Sequence, residues 1–224
     1  MSVNQAREQM IEHQVRAWEV LDARVLNVLR NVPREQFVPD SQRFLAFADV
    51  DVTLPHGQHM LRPNITGRLL QALELSGTER VLEIGTGTGF VTACLAAASA
   101  HVKSFELFAD LADAARANLA AVGTRNVEVV TADALQAGVQ LESGAGGSGR
   151  YHAIAVTGSL PVYDDHFQRL LEVGGRLFVI VGDAPVMEAR LVRRVAEDGW
   201  STESLFETVV DPLINARRAS GFTF

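Results

Sequence analysis

The stretch "VLEIGTGTGFVTACLA", residues 81–96, decides the fold. A run of buried-strand character, "RVLEI" (80–84), meets glycines at 85, 87 and 89, and a small-residue apolar run then opens as a helix. A glycine loop at that junction lets the backbone approach a ligand closely, because no Cβ intervenes. The carboxyl end of a strand in an open α/β sheet is also where such sheets bind ligands. Two cofactor classes compete for this loop. Dinucleotide sites use G-x-G-x-x-G and set a pyrophosphate on the helix N-terminus. Here the spacing is G-x-G-x-G, and Glu83 stands two residues before the first glycine. A carboxylate there disfavours an anion and welcomes a cation.

Two further acids follow in order. Glu106 closes the second strand, where an acid accepts ribose hydroxyls. Asp133 closes the third, in "TADAL", where an acid meets an adenine amino group. Each alone is a weak signal, since acids after strands are often helix caps. In sequence, Glu83, the glycine loop, Glu106 and Asp133 point to S-adenosyl-L-methionine (SAM), a nucleoside with an ammonium and a sulfonium. Gly85, Thr86, Gly87 and Gly89 belong to the expected cofactor site with those acids. Gln58, Leu107 and Ala134 complete it.

Outward from the loop, the chain changes period near residue 80. Before it, Met10, Ile11, Val15 and Trp18, then Val25, Val28 and Leu29, recur at helical spacing and predict helices over 4–18 and 22–32. Pro33 ends the second, and Asn64 is read as the N-cap of a helix to about Leu75. After residue 80, strands and helices alternate. "HVKSFEL", "VEVVTAD", "YHAIAVTG" and "RLFVIVG" are strands; "ADLADAARANLAAVG" and "YDDHFQRLLEVGG" are helices. "EARLVRRVAEDGW" and "ESLFETVV" form a closing antiparallel pair, and "LESGAGGSGR" is a surface connection. The expected fold class is α/β, a Rossmann-like, doubly wound, mainly parallel seven-stranded sheet. Residues 1–75 form a helical extension or lid, and 76–224 the SAM-binding domain.

Bulk properties narrow the class. A hydrophobic content of 47% supports a large core, and a net charge of −7 argues against a non-specific nucleic-acid binder. Cys94 is the single cysteine, so an intrachain disulfide is excluded. The start "MSVNQAREQMIEHQ" is polar, and the low-charge run 84–100 is broken by glycines, so neither a signal peptide nor a membrane span is expected. A cytoplasmic protein follows. His56 and His59 lack a nearby carboxylate or cysteine at ligand spacing, so no metal site is expected.

Four segments, "EHQVRA…VLNVLRNVPREQFVP", "LPHGQHMLRP", "VLEIGTGTGF" and "YHAIAVTGSLP", resemble the protein-L-isoaspartate O-methyltransferase family, in order, over roughly residues 6–213. The resemblance implies a class I methyltransferase fold with a helical N-terminal extension over the cofactor. It implies methylation of the free α-carboxylate of isoaspartyl residues in damaged proteins or peptides. The family reads Gly-Gln-Thr-Ile-Ser-Gln-Pro where this chain has Gly57-Gln58-His59-Met60-Leu61-Arg62-Pro63. His59 therefore stands at the family's Thr, and Leu61 at the Ser usually assigned to the active site. His152 stands where the family commonly has Asp. Leu61 offers no hydrogen bond, so His59 and Arg62 are the candidates to orient an acceptor carboxylate. Two alternatives stay open: a hydroxyl acceptor with His59 or His166 as base, and a SAM-binding protein without catalysis. Ser159 or Tyr163 is a candidate to face the acceptor, and Asp164 and Asp165 are read as acids of a helix's first turn. Phe222 and Phe224 belong to a tail expected to be disordered.

Overall fold

A computed structural model describes residues 2–142 and 149–218. The tail with Phe222 and Phe224, and residues 143–148 of the "LESGAGGSGR" connection, lie outside the described residues.

The N-terminal extension starts with helix α1 (Val3–Met10), closed by a capping box between Ser2 and Gln5. The expected single helix to residue 18 instead changes winding twice, into a π-helical turn over Ile11–Val15 and a 3₁₀ turn over Arg16–Trp18. The changes keep Met10, Ile11 and Val15 buried together. Asp22 caps helix α2 (Ala23–Asn31), which buries Val25, Leu26 and Leu29. Two short strands, β1 (Val52–Thr53) and β2 (His59–Met60), pair antiparallel and form a strap before helix α3 (Pro63–Leu73). Asn64 is not the cap of α3. The helix opens at Pro63, whose fixed φ suits the first turn, and Asn64 is buried inside it.

The main sheet has seven strands: β3 (Arg80–Ile84), β4 (His101–Glu106), β5 (Val127–Thr131), β6 (Tyr151–Leu160), β7 (Leu171–Asp183), β8 (Val186–Ala196) and β9 (Gly199–Thr208). Their order is β5-β4-β3-β6-β7-β8-β9. Neighbours from β5 to β7 pair parallel; β8 runs antiparallel to both β7 and β9. Alternation along the central strands divides the core. Val81, Ala153, Ala155, Phe178 and Ile180 face the N-terminal extension with α3, α4 (Phe90–Ala98) and α5 (Ala109–Ala121). Leu82, Ile84, Ile154, Val156, Leu177 and Val179 face the other way. The crossovers after β3 and β4 both move outward in the same direction, so both their helices fall on the first face.

The second face is thinner than expected. "YDDHFQRLLEVGG" is not one helix: α6 spans His166–Arg169, and β7 has begun by Leu171. Two glycines explain the difference. Gly174 has φ +85°, and a Cβ on Gly175 would meet the carbonyl oxygen of Tyr151 at 3.1 Å. The strand is thereby pressed against β6, with a register shift between Tyr151 and Ala153.

The N-terminal extension shares one hydrophobic core with the sheet. The Gln71 side chain joins them: its Oε1 accepts from the backbone of Leu21 and Asp22, and its Nε2 donates to the Glu19 carbonyl. Gly67 of α3 sets the spacing, since a Cβ there would lie 2.9 Å from Val15 and 3.1 Å from Val20. Alanine is the better helix former by about 1 kcal/mol. Gly67→Ala is nevertheless expected to lower stability by about 1–3 kcal/mol through overpacking, measured as a reduced urea midpoint.

Candidate active site

The sheet order reverses between β3 and β6, where chain direction sends successive crossovers to opposite sides. A cavity of about 350 Å³ opens at that point. Its floor is Gly85, Gly87 and the ends of β4 and β5; its roof is the strap 58–62 and the segment 209–214. Gly85, Gly87 and Gly89 have φ of +99°, +54° and +89°, values that side-chain-bearing residues rarely adopt. Gly85 is also required sterically: a Cβ would lie 2.4 Å from Thr157 Oγ1. That hydroxyl sits 2.7 Å from the Gly85 carbonyl and 2.9 Å from that of Ile84. Gly89 admits α5, whose Ala115 and Leu119 would crowd a Cβ at 3.3–3.4 Å.

Two acids are presented to this cavity by hydrogen bonds from the backbone and, for Asp133, from the Asn215 side chain. Glu106 accepts from Gly87 N at 2.8 Å and Phe108 N at 3.0 Å. Asp133 accepts from Leu135 N at 2.9 Å and from the Asn215 amide at 2.8 Å. Leu107 and Ala134 line the wall beside them. Glu83 occupies another place. It is fully buried beneath the loop, and its Oε2 accepts from Thr92 at 2.5 Å and Ser104 at 2.6 Å.

The strap carries the remaining polar groups. His59 Nδ1 is 2.9 Å from Asp211 Oδ2, which belongs to the roof segment 152 residues later. Arg62 Nε is 3.4 Å from Asp51. His56 points elsewhere, stacked on Phe108 at 3.9 Å and bonded to Asp110. Behind the strap lies buried Arg34. It donates to the carbonyls of Ala46 and Leu61, both at 3.0 Å, and lies 4.7 Å over the Phe90 ring. Burial pushes its guanidinium down to about 10, still charged at neutral pH. Arg34 thus ties the Leu61 backbone to the head of α4.

A family-wide sequence profile described as Protein-L-isoaspartate(D-aspartate) O-methyltransferase matches residues 4–217. A protein-L-isoaspartate O-methyltransferase of Rhodopseudomonas palustris is 36% identical over 92% of each chain. One from Pelobacter propionicus is 37% identical, over 94% of this chain and 91% of its own. The chain belongs to this family. Two solved structures bear on the methyltransferase fold. A Plasmodium falciparum protein described as a β-aspartate methyltransferase, in complex with S-adenosyl-L-homocysteine, superposes with a TM-score of 0.77. It is 18% identical, and the match covers 95% of this chain and 98% of that one. A second protein-L-isoaspartate O-methyltransferase gives 0.74 at 22% identity, over 96% and 66%.

Within this methyltransferase cleft the structure gathers Gln58, His59, Leu61, Arg62, Gly85, Gly87, Glu106, Leu107, Asp133 and Ala134. It does not bring in three others. Thr86 binds Ser104 and borders a smaller annexe of about 50 Å³ behind the strap. Gly89 faces α5, and Glu83 lies beneath the floor. The candidates around 159–166 also stand away from the cleft wall. Ser159 is buried, with its backbone holding Asp211 and Leu213. Tyr163 bonds to Gln168, and His166 packs edge-on against Phe167. Asp164 accepts from His166 N, and Asp165 pairs with Arg169, as acids at a helix start do. Arg34, Thr157, Asp211 and Leu213 were not legible as site residues. Arg34 lies in the family-like "VPREQFVP" segment, which was its one signal.

Glu83 titrates out of its usual range. Burial pushes its carboxyl up to about 8, against the opposing effect of the Ser104 and Thr92 hydrogen bonds. The unfolded chain therefore releases this proton near pH 4.5, while the folded protein keeps it until about 8. The unfolded state is favoured progressively over that window, so Glu83 makes stability fall as pH rises from about 4.5 to 8. Glu83→Gln is expected to remove this component. Thermal unfolding at pH 5 and pH 8 should show a smaller difference in Tm for the variant than for the wild type.

Proposed function

We propose that this chain transfers the methyl group of SAM to the free carboxylate of L-isoaspartyl residues in damaged proteins and peptides, a protein-repair reaction. Its place in the family carries this reading, and the cleft fits it. Glu106, its carboxylate turned inward by two backbone donors, suits a ribose diol; Asp133 suits an adenine amino group. The positive-φ glycines leave the loop free of Cβ atoms, so a flat nucleoside has room against Gly85 and Gly87. The cavity volume lies within the about 300–1,000 Å³ usual for small-ligand sites. In this reading Gln58, Leu107 and Ala134 line the cofactor, while His59, Leu61 and Arg62 line the acceptor. A cytoplasmic setting accords with the lone buried Cys94. No helix among the described residues is long and apolar enough to cross a membrane.

SAM, when bound, supplies an electrophilic methyl on a sulfonium. The chain's task is alignment and exclusion of water. A carboxylate is ionised at neutral pH, so no residue need remove its proton. Orientation alone is worth about 7–11 kcal/mol in favourable cases. Arg34 serves that orientation by holding the Leu61 carbonyl, and Leu61 and Met60 give the strap an apolar side.

The direct test is incubation with methyl-labelled SAM and an isoaspartyl peptide. Base-labile methyl ester is expected with that peptide and not with its normal aspartyl counterpart. Glu106→Ala is expected to weaken S-adenosylhomocysteine binding by about 1.5–3 kcal/mol, read by calorimetry, as loss of a hydrogen bond to a charged group.

A further inference from the structure

The acceptor side of the cleft has an unusual feature for a site that must hold an anion: Leu61 presents no donor there. His59 does. It is carried on β2 of the strap and lines both the main cavity and the small annexe behind it. Its Nδ1 is engaged by the Asp211 carboxylate at 2.9 Å, which fixes the ring plane. A carboxylate only accepts, so Nδ1 carries the proton in this pair. The other nitrogen, Nε2, makes no hydrogen bond to another side chain or backbone group among the described residues and belongs to a side chain that borders the cavity. In the neutral ring Nε2 shows a lone pair, which repels a carboxylate. In the charged ring it shows an N–H, which binds one.

The charges around His59 are mostly committed to other partners. Arg62 leans on Asp51, Glu106 on two backbone amides, and Asp133 on Leu135 and Asn215. Arg34, across the annexe, is bound to two carbonyls. The ion pair formed by His59 among the described residues is with Asp211.

We propose that the imidazolium of His59, its ring held by Asp211, is the group that receives the acceptor carboxylate; this rests on the carboxylate-methylating function proposed above. Nε2–H donates to one carboxylate oxygen, and the other oxygen takes the methyl. The carboxylate supplies the electron pair of the new C–O bond, the sulfur keeps the pair of the broken S–C bond, and the imidazolium keeps its proton. The donor engages the oxygen that does not take the methyl, so this bond is made to the bound substrate and kept in the transition state. Its effect therefore falls on KM and not on kcat. It also favours release, because a neutral ester binds the cation less well than the anion it came from.

The experiment measures kcat and KM for an isoaspartyl peptide from pH 6 to 8. In parallel, calorimetry follows binding of the same peptide to the S-adenosylhomocysteine complex. Wild type is expected to show a KM and a peptide Kd that are lower at pH 6 than at pH 8, with kcat level. His59→Gln is expected to raise KM about 10- to 100-fold at pH 6, the worth of a hydrogen bond to a charged group, and to abolish the pH trend. Asp211→Ala frees the ring, so KM should rise several-fold while the trend persists. Unchanged S-adenosylhomocysteine affinity shows that both variants are folded. A flat wild-type KM that His59→Gln does not alter overturns the proposal, ester formation leaving the function intact. A kcat that instead rises with pH and collapses in His59→Gln also overturns it, marking His59 as a base. If S-adenosylhomocysteine binds yet wild type forms no ester at any pH, the proposed function itself fails and this inference falls with it.

Discussion

The cleft depends on a methyl group that is not there. With no Cβ on Gly85, Thr157 Oγ1 sits where that atom would be, and β3 and β6 are pinned together at their tips by the Ile84 and Gly85 carbonyls. Any L side chain at 85 would meet both the hydroxyl and a φ of +99°. The rest of the floor follows from this closure. The loop turns so that Gly87 N points at Glu106, which locks that carboxylate toward the cavity. Gly89 then starts α4 close enough to touch α5. One steric constraint at the switch point thus sets the loop, the first acid and the helix pair behind them.

The roof is built differently, from segments with little regular structure. The strap is two two-residue strands, and a pair this short is not stable alone. Its support comes from Arg34 beneath and from Gln42, which exchanges two hydrogen bonds with the backbone of Thr53. A buried guanidinium with unsatisfied Nη1 is costly, and the Phe90 ring offsets part of that cost. The N-terminal extension is therefore more than a cover. It supplies the cation that fixes the backbone of the strap at Leu61.

Legibility in the sequence followed how local each signal was. Gly85, Gly87, Glu106 and Asp133 are set by strand ends a few residues away, so spacing was enough to place them at the cleft. The closing antiparallel pair β8–β9 was equally plain from its alternation. Glu83 was misplaced because a strand of five residues has two faces, and sequence does not say which one meets ligand. Its carboxylate lies among Thr92 and Ser104 instead. The reading of 163–175 as a helix failed at Gly174 and Gly175, where a positive φ and a close approach to β6 favour a bulged strand over helix. Asp211 was invisible for a plain reason: nothing near residue 211 announces a partner 152 positions earlier.

The span of that last pairing also orders how the cleft comes into being. The chain leaves the ribosome from its amino end, so the strap, the glycine loop and both floor acids emerge long before residues 209–214. Ser159 is buried near the end of β6 and offers its backbone as the mooring for that late segment. Until the mooring is taken, the floor stands open to water and His59 has no carboxylate to hold it. A nascent chain can therefore fold most of its sheet without possessing a closed site. Chemistry begins only once residues 209–214 have closed over the floor.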